Sequence, residues 1–148
     1  LHYPSVGGYM RSLTFITILM TIYISLVQQA KALDWVQMNT NVNQDQLYFD
    51  LDNVKVHPDQ QIEVWYKLQL NKPKTINKKK YDMLISIAYV DCSSISIGLL
   101  RSLFYYKNNL VLDHYVLIKD YQMEQLIPAS FYYDPVATLC MATQTQEY

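Results

Sequence analysis

Gln61-Ile62-Glu63-Val64-Trp65-Tyr66-Lys67-Leu68-Gln69-Leu70 is the stretch from which the fold is read. Ile62, Val64, Tyr66, Leu68 and Leu70 fall at every second position, with Glu63, Trp65, Lys67 and Gln69 between them. Successive side chains of a strand point to opposite faces, so this pattern predicts a half-buried strand. One side is apolar; the other mixes charge with a large aromatic.

Toward the C-terminus, residues 71–80 read as a long polar loop, because Lys72, Pro73, Lys74, Asn77, Lys78, Lys79 and Lys80 have nothing apolar to bury. Residues 81–91 are apolar on both faces through Leu84, Ile85, Ile87, Ala88, Tyr89 and Val90, which places that strand centrally. Ser93-Ser94 turns the chain into a long strand over 95–106, in which Gly98 marks a bulge or a close approach. Lys107-Asn108-Asn109 is a hairpin connection, since Asn tolerates positive φ, and residues 110–118 return antiparallel. Toward the N-terminus, His57-Pro58-Asp59 is a turn. Before it, residues 35–38 and 47–49 are short strands around the polar Asn39-Thr40-Asn41-Val42-Asn43. About six strands joined by turns predict an antiparallel meander rather than βαβ units.

The last segment changes character. Ser130 is a candidate cap for a helix through Val136, Ala137, Leu139 and Cys140. Pro135 favours a shorter helix with Asp134 as its cap. The fold class is therefore α+β: a meander sheet with one C-terminal helix.

The front of the chain has the three parts of a secretory signal. Met10-Arg11 is the positive start, residues 13–27 are uncharged and mostly apolar, and Ala30-Lys31-Ala32 offers small residues where a signal peptidase reads. This predicts a signal peptide over 10–32, cut between Ala32 and Leu33. The alternative is an uncleaved anchor, although the run is shorter than the roughly 20 residues that span a bilayer. Residues 1–9 are upstream of a plausible start and are assigned no fold, 33–143 form the domain, and 144–148 are a polar tail. No Cys lies near the cut, so the acylated start of a lipoprotein is not expected. The mature protein is then periplasmic, secreted or at the cell surface, with no stable membrane span.

Composition narrows the partners. Hydrophobic residues make up 51%, but 14 Tyr against 3 Gly shifts that share toward half-buried strands and contact surfaces. A net charge of −1, more negative once Arg11 and Lys31 leave with the signal, gives no global reason to bind nucleic acid. The two cysteines, Cys92 and Cys140, either pair in an oxidising compartment or remain free buried thiols. Paired, they would tie the helix to the strand ending at Cys92, a cross-link worth about 4 kcal/mol.

A family resemblance is carried by an ordered set of motifs. These are Trp35-Val36, Leu47-Tyr48-Phe49-Asp50, Glu63-Val64-Trp65-Tyr66-Lys67, Val90-Asp91-Cys92, Phe104-Tyr105-Tyr106, and Ile127-Pro128-Ala129-Ser130 ahead of Cys140. Together they resemble the surface-adhesin protein E family of Gram-negative bacteria, over nearly the whole mature domain. The resemblance implies an antiparallel sheet with a C-terminal helix held by a Cys92–Cys140 bridge. It also implies an adhesin for host extracellular-matrix and plasma proteins that can form a homodimer.

Two features are candidate binding elements. Lys72, Lys74, Lys78, Lys79 and Lys80 could draw acidic proteins or sulfated glycans to an otherwise acidic domain, or simply keep a hairpin loop solvated. The aromatics Trp65, Tyr105, Tyr106, Tyr115, Tyr132 and Tyr133 suit an interface with a partner or a second subunit, or packing under the helix. Catalysis finds no assembled constellation. Asp113 and His114 are neighbours on a strand and point apart, and there is no CxxC, phosphate loop or GxSxG. Two isolated His residues define no metal site, and no cofactor is called for. The sequence therefore predicts an exported binding protein with a protein or glycan ligand; the alternative is a soluble periplasmic protein with a structural or stress-related role.

Overall fold

The computed structural model describes residues 33–117 and 120–144. Its elements are β1 (Trp35–Thr40), β2 (Gln46–Asp50), β3 (Lys55–Val56), β4 (Gln61–Ile76), β5 (Lys79–Asp91), β6 (Ser96–Tyr106), β7 (Asn109–Tyr115), β8 (Glu124–Gln125) and a helix, α1 (Tyr133–Gln144). The signal segment, its cleavage point at Ala32 and residues 145–148 lie outside the described residues.

All pairings are antiparallel, in the order β1-β2-β4-β5-β6-β7, with β3 on β4 and β8 on β6. The meander is as expected, and the sheet gains its two further strands from two-residue pieces at 55–56 and 124–125. Two residues carry no readable period, so composition alone does not announce them. β7 ends at Tyr115, short of the expected residue 118.

The polar loop expected over 71–80 is a correction. β4 continues to Ile76 and β5 starts at Lys79, so only Asn77 and Lys78 form the turn. Both have positive φ, 46° and 64°, the backbone a two-residue hairpin of matching twist demands. Lys74 pairs with Tyr81, Thr75 with Lys80 and Ile76 with Lys79. Pro73, which cannot donate to a ladder, sits where the register jumps between Gln69 and Lys74. Backbone pairing carries this hairpin outward without an apolar face. The β6–β7 turn repeats the device at Lys107 and Asn108, with φ of 49° and 64°.

The core lies on one face. Leu47, Phe49, Ile62, Val64, Tyr66, Ala88 and Val90 pack there against Val136, Leu139 and Cys140 of α1. The buried Val, Leu, Ile and Phe side chains among them each contribute roughly 1.5–3 kcal/mol by leaving water. Cys92 and Cys140 are bonded, with Cα atoms 5.5 Å apart, so the bridge pins the helix to the end of β5.

The helix start also differs from expectation. Ser130 is no cap; its carbonyl accepts from Tyr133 N–H in a turn before the helix, and Tyr132 O takes the first helical bond from Val136. Asp134 is in the first turn rather than at the cap. Pro135 is the third helical residue, where an N–H would have no helical acceptor, so it fits undistorted. The helix extends through Gln144, taking in the first residue of the expected tail.

Candidate binding surface

The lysines gather at one end of the sheet. Lys72 and Lys74 end β4, Lys78 is in the turn, and Lys79 and Lys80 open β5, all of them exposed. Paired residues share a side of a hairpin, so Lys74 and Lys79 lie on one side and Lys80 on the other. Lys79 Nζ donates to Val111 O at 2.9 Å, tying the hairpin toward β7. Lys107 joins the same end, because its N–H donates to the Asp82 carboxylate. The sequence reading missed Lys107, which only strand register brings beside the hairpin.

Asp45 anchors the hairpin's base. Its Oδ1 accepts from the backbone N–H of Asn71, at 2.9 Å, and its Oδ2 from Asn41 Nδ2 at 3.0 Å. Burial pushes this carboxyl up. The Asn71 and Asn41 hydrogen bonds and the Lys74 charge outweigh that and hold it below its ordinary value. Both carboxylates at this end therefore serve as backbone ties, leaving the lysine field outward.

The aromatic candidates divide. Trp65 lies half-buried opposite Ile87, on the sheet face away from α1, and Tyr105 lies on the same face opposite Met83. The helix packs on the other side, so among the described residues no helix covers Trp65. Tyr106 alternates to the opposite side, with the Lys107 ammonium 5.4 Å from its ring centre. Tyr115 is 60% exposed and paired with Arg101. Tyr132 turns inward, edge-on to Tyr66. The open face also holds Lys67, whose ammonium lies 4.3 Å from the Tyr48 ring centre and 5.2 Å from that of Trp35. Desolvation lowers the Lys67 pKa, and the two rings compensate by attracting the cation.

Asp113 does not orient His114. It makes a two-pronged pair with Arg101, at 3.0 and 2.6 Å, which holds its carboxyl below the ordinary value. His57 does meet a carboxylate, Glu63 Oε2 at 3.1 Å, beside a hollow of about 310 Å³. Lys55 shares that Glu63, and Tyr89 stands edge-on to the ring. Pro58, Asp59 and Gln61 complete the hollow, which has no hydroxyl or thiol nucleophile apart from the Tyr89 phenol. The arrangement is a Lys55–Glu63 ion pair with the His57 ring hydrogen-bonded to the same carboxylate. Among the described residues, no group of three or more His, Cys, Asp or Glu is placed to hold a metal, and no helix is long and apolar enough to cross a membrane.

Comparison with known proteins gives a consistent answer on the fold. The model of the family described as surface-adhesin protein E matches residues 35–141. A structure of Haemophilus influenzae protein E is similar at 16% identity and a TM-score of 0.53, over 77% of this chain and 88% of that one. A second crystal form of that protein gives 16% and 0.54, over 78% and 97%. Protein E from non-typeable Haemophilus influenzae gives 14% and 0.54, over 80% and 82%. Comparison with curated proteins returned no match.

Proposed function

We propose that this chain, which belongs to the surface-adhesin protein E family, is an exported binding protein that contacts host extracellular-matrix or plasma proteins, or components of its own envelope. The observation that carries the reading is the lysine hairpin. It projects at one end of the sheet with its cations on both sides and its local carboxylates occupied by backbone. A field of this kind favours acidic proteins and sulfated glycans by steering and by screened attraction, with little demand on ligand geometry. The uncovered face bearing Trp65 and Tyr105 supplies apolar contact area of the sort that interfaces use, for a protein ligand or a second copy.

The test is retention on immobilised heparin. Replacing Lys78, Lys79 and Lys80 by Ala together should lower the eluting salt concentration markedly, while the melting temperature changes little because all three are exposed. Equal elution of variant and wild type would remove the hairpin from the proposal. Protease treatment of intact cells separates the alternatives. Digestion places the protein outside; full protection, with release on osmotic shock, favours a periplasmic role without host ligand.

A further inference from the structure

On the sheet face away from α1, one cation has no carboxylate partner among the described residues. Lys67, half-buried in the middle of β4, is paired with Tyr48 of β2 on one side and Ile85 of β5 on the other. Its ammonium lies 4.3 Å from the Tyr48 ring centre and 5.2 Å from that of Trp35. Trp65, two positions away on the same strand, shares its face. The three aromatic side chains are half-buried, so each keeps ring surface within reach of solvent. Among the described residues Lys67 makes neither an ion pair nor a hydrogen bond. The carboxylates of β2 and β4, the strands that carry Tyr48 and Lys67, do not supply one. Glu63 holds Lys55 and His57, and the fully buried Asp50 accepts from Asn53 Nδ2, with neither of its oxygens on Lys67. The rings attract the ammonium but bring no net charge, so a partly desolvated cation is left without a counter-ion.

We infer that this face binds a uronic acid residue of a glycan, the sugar ring lying on Trp35, Tyr48 and Trp65 with its carboxylate on the Lys67 ammonium. Charge complementarity sets the anion. A carboxylate would give Lys67 the charge-assisted hydrogen bond that no described group provides. The rings around it set the rest of the ligand. A β-glucuronide carries its substituents equatorially, so each face of its ring presents C–H groups that pack against the negative face of an indole or phenol. Its carboxylate leaves from the ring edge, where it can meet a cation standing among the aromatics. A glutamate of a protein ligand has the charge without the ring, and a neutral sugar has the ring without the charge. The inference extends the binding reading to a face away from the hairpin lysines and does not rest on them.

Three probes separate these requirements: methyl β-D-glucuronide, methyl β-D-glucoside without the carboxylate, and N-acetylglutamate α-amide without the ring. Titration followed by protein NMR should give saturable glucuronide shifts centred on the Trp35 and Trp65 indole N–H groups and the Lys67 amide. The glucoside and the capped glutamate should each bind roughly tenfold more weakly. Lys67→Met keeps the length of the side chain and removes its charge, so it should bring the glucuronide down to the level of the glucoside. Lys67→Gln gives the same readout if the Met variant fails to fold. Trp35→Leu should weaken both sugars together. Absence of saturable glucuronide shifts, equal binding of the glucoside, or indifference to loss of the Lys67 charge would each overturn the inference. Capped glutamate binding as tightly as the glucuronide would overturn it in favour of a protein ligand. The variant with Ala at Lys78, Lys79 and Lys80 should bind the glucuronide like wild type, so this result and heparin retention fail separately; a loss there would move the site to the hairpin and overturn the inference.

Discussion

The two ends of the sheet are held by opposite means. At one end, Ile62, Val90 and the bonded Cys92 press against Leu139 and Cys140, and side-chain burial joined to a covalent bridge fixes the geometry. At the other, β4 and β5 run on past the core as an exposed ladder, held by backbone bonds, two positive-φ turn residues and the Asp45 and Asp82 ties. One end stores stability; the other offers charge. Substitutions at the two ends should therefore affect different measurements, and stability should respond in proportion to what each end contributes.

The largest effect should come from the bridge. Its loop spans a sequence separation of 48, and opening it restores about 4 kcal/mol of chain entropy to the unfolded state. Replacing both Cys92 and Cys140 by Ser should lower the melting temperature on the order of 15–20 °C. If the folded fraction still elutes from heparin at wild-type salt, the ends are independent. An unchanged melting temperature would mean that burial alone holds α1 on the sheet.

Asp45 should come next, because it ties the exposed end to buried structure. Its carboxyl is held below its ordinary value in the fold, so its contribution is complete above the unfolded pKa near 3.8. That contribution is lost as pH falls through the lower, folded value. Replacing Asp45 by Asn should cost about 1–2 kcal/mol near neutral pH and remove this part of the acid sensitivity below about pH 4. Urea unfolding at pH 7 and at pH 3 measures both. Parallel losses for wild type and variant across that interval would show that Asp45 is not the tie.

The difference between the ends also explains what could be read from sequence. The strand over 61–70 was legible because burial on one face forces Ile62, Val64 and Tyr66 into alternation. Beyond a register jump, Lys74, Thr75 and Ile76 pair with β5 through their backbone, yet exposed positions are under no such constraint and read as loop. Alternation showed that Trp65 faces away from Val64. It did not show which face α1 would cover, and so left Trp65 between an interface and a core role. Pro135 was ambiguous until Tyr132 O was known to accept the first helical bond, which makes its missing N–H harmless. The hollow of about 510 Å³ lined by Ile97, Leu99 and Ser130 was not legible at all. It exists where α1 stops covering the sheet, and no local pattern encodes that boundary.

The smallest effect separates conformation from charge within the lysine end itself. Lys78 holds a φ of 64°, a backbone that costs an L-residue about 1 kcal/mol or more and a glycine little. Asn-Gly is also the pair that this two-residue turn prefers. Replacing Lys78 by Gly should therefore stabilise the hairpin by roughly 0.5–1 kcal/mol, after the added freedom of the unfolded chain is subtracted. It also deletes one of the hairpin's cations. Slower amide exchange at Ile76 and Lys79, together with slightly earlier elution from heparin, would show that rigidity and charge are separate properties of this end. Slower exchange with later elution would mean that binding depends on the shape of the turn more than on its charge, and the lysine field would lose its place as the carrier of recognition.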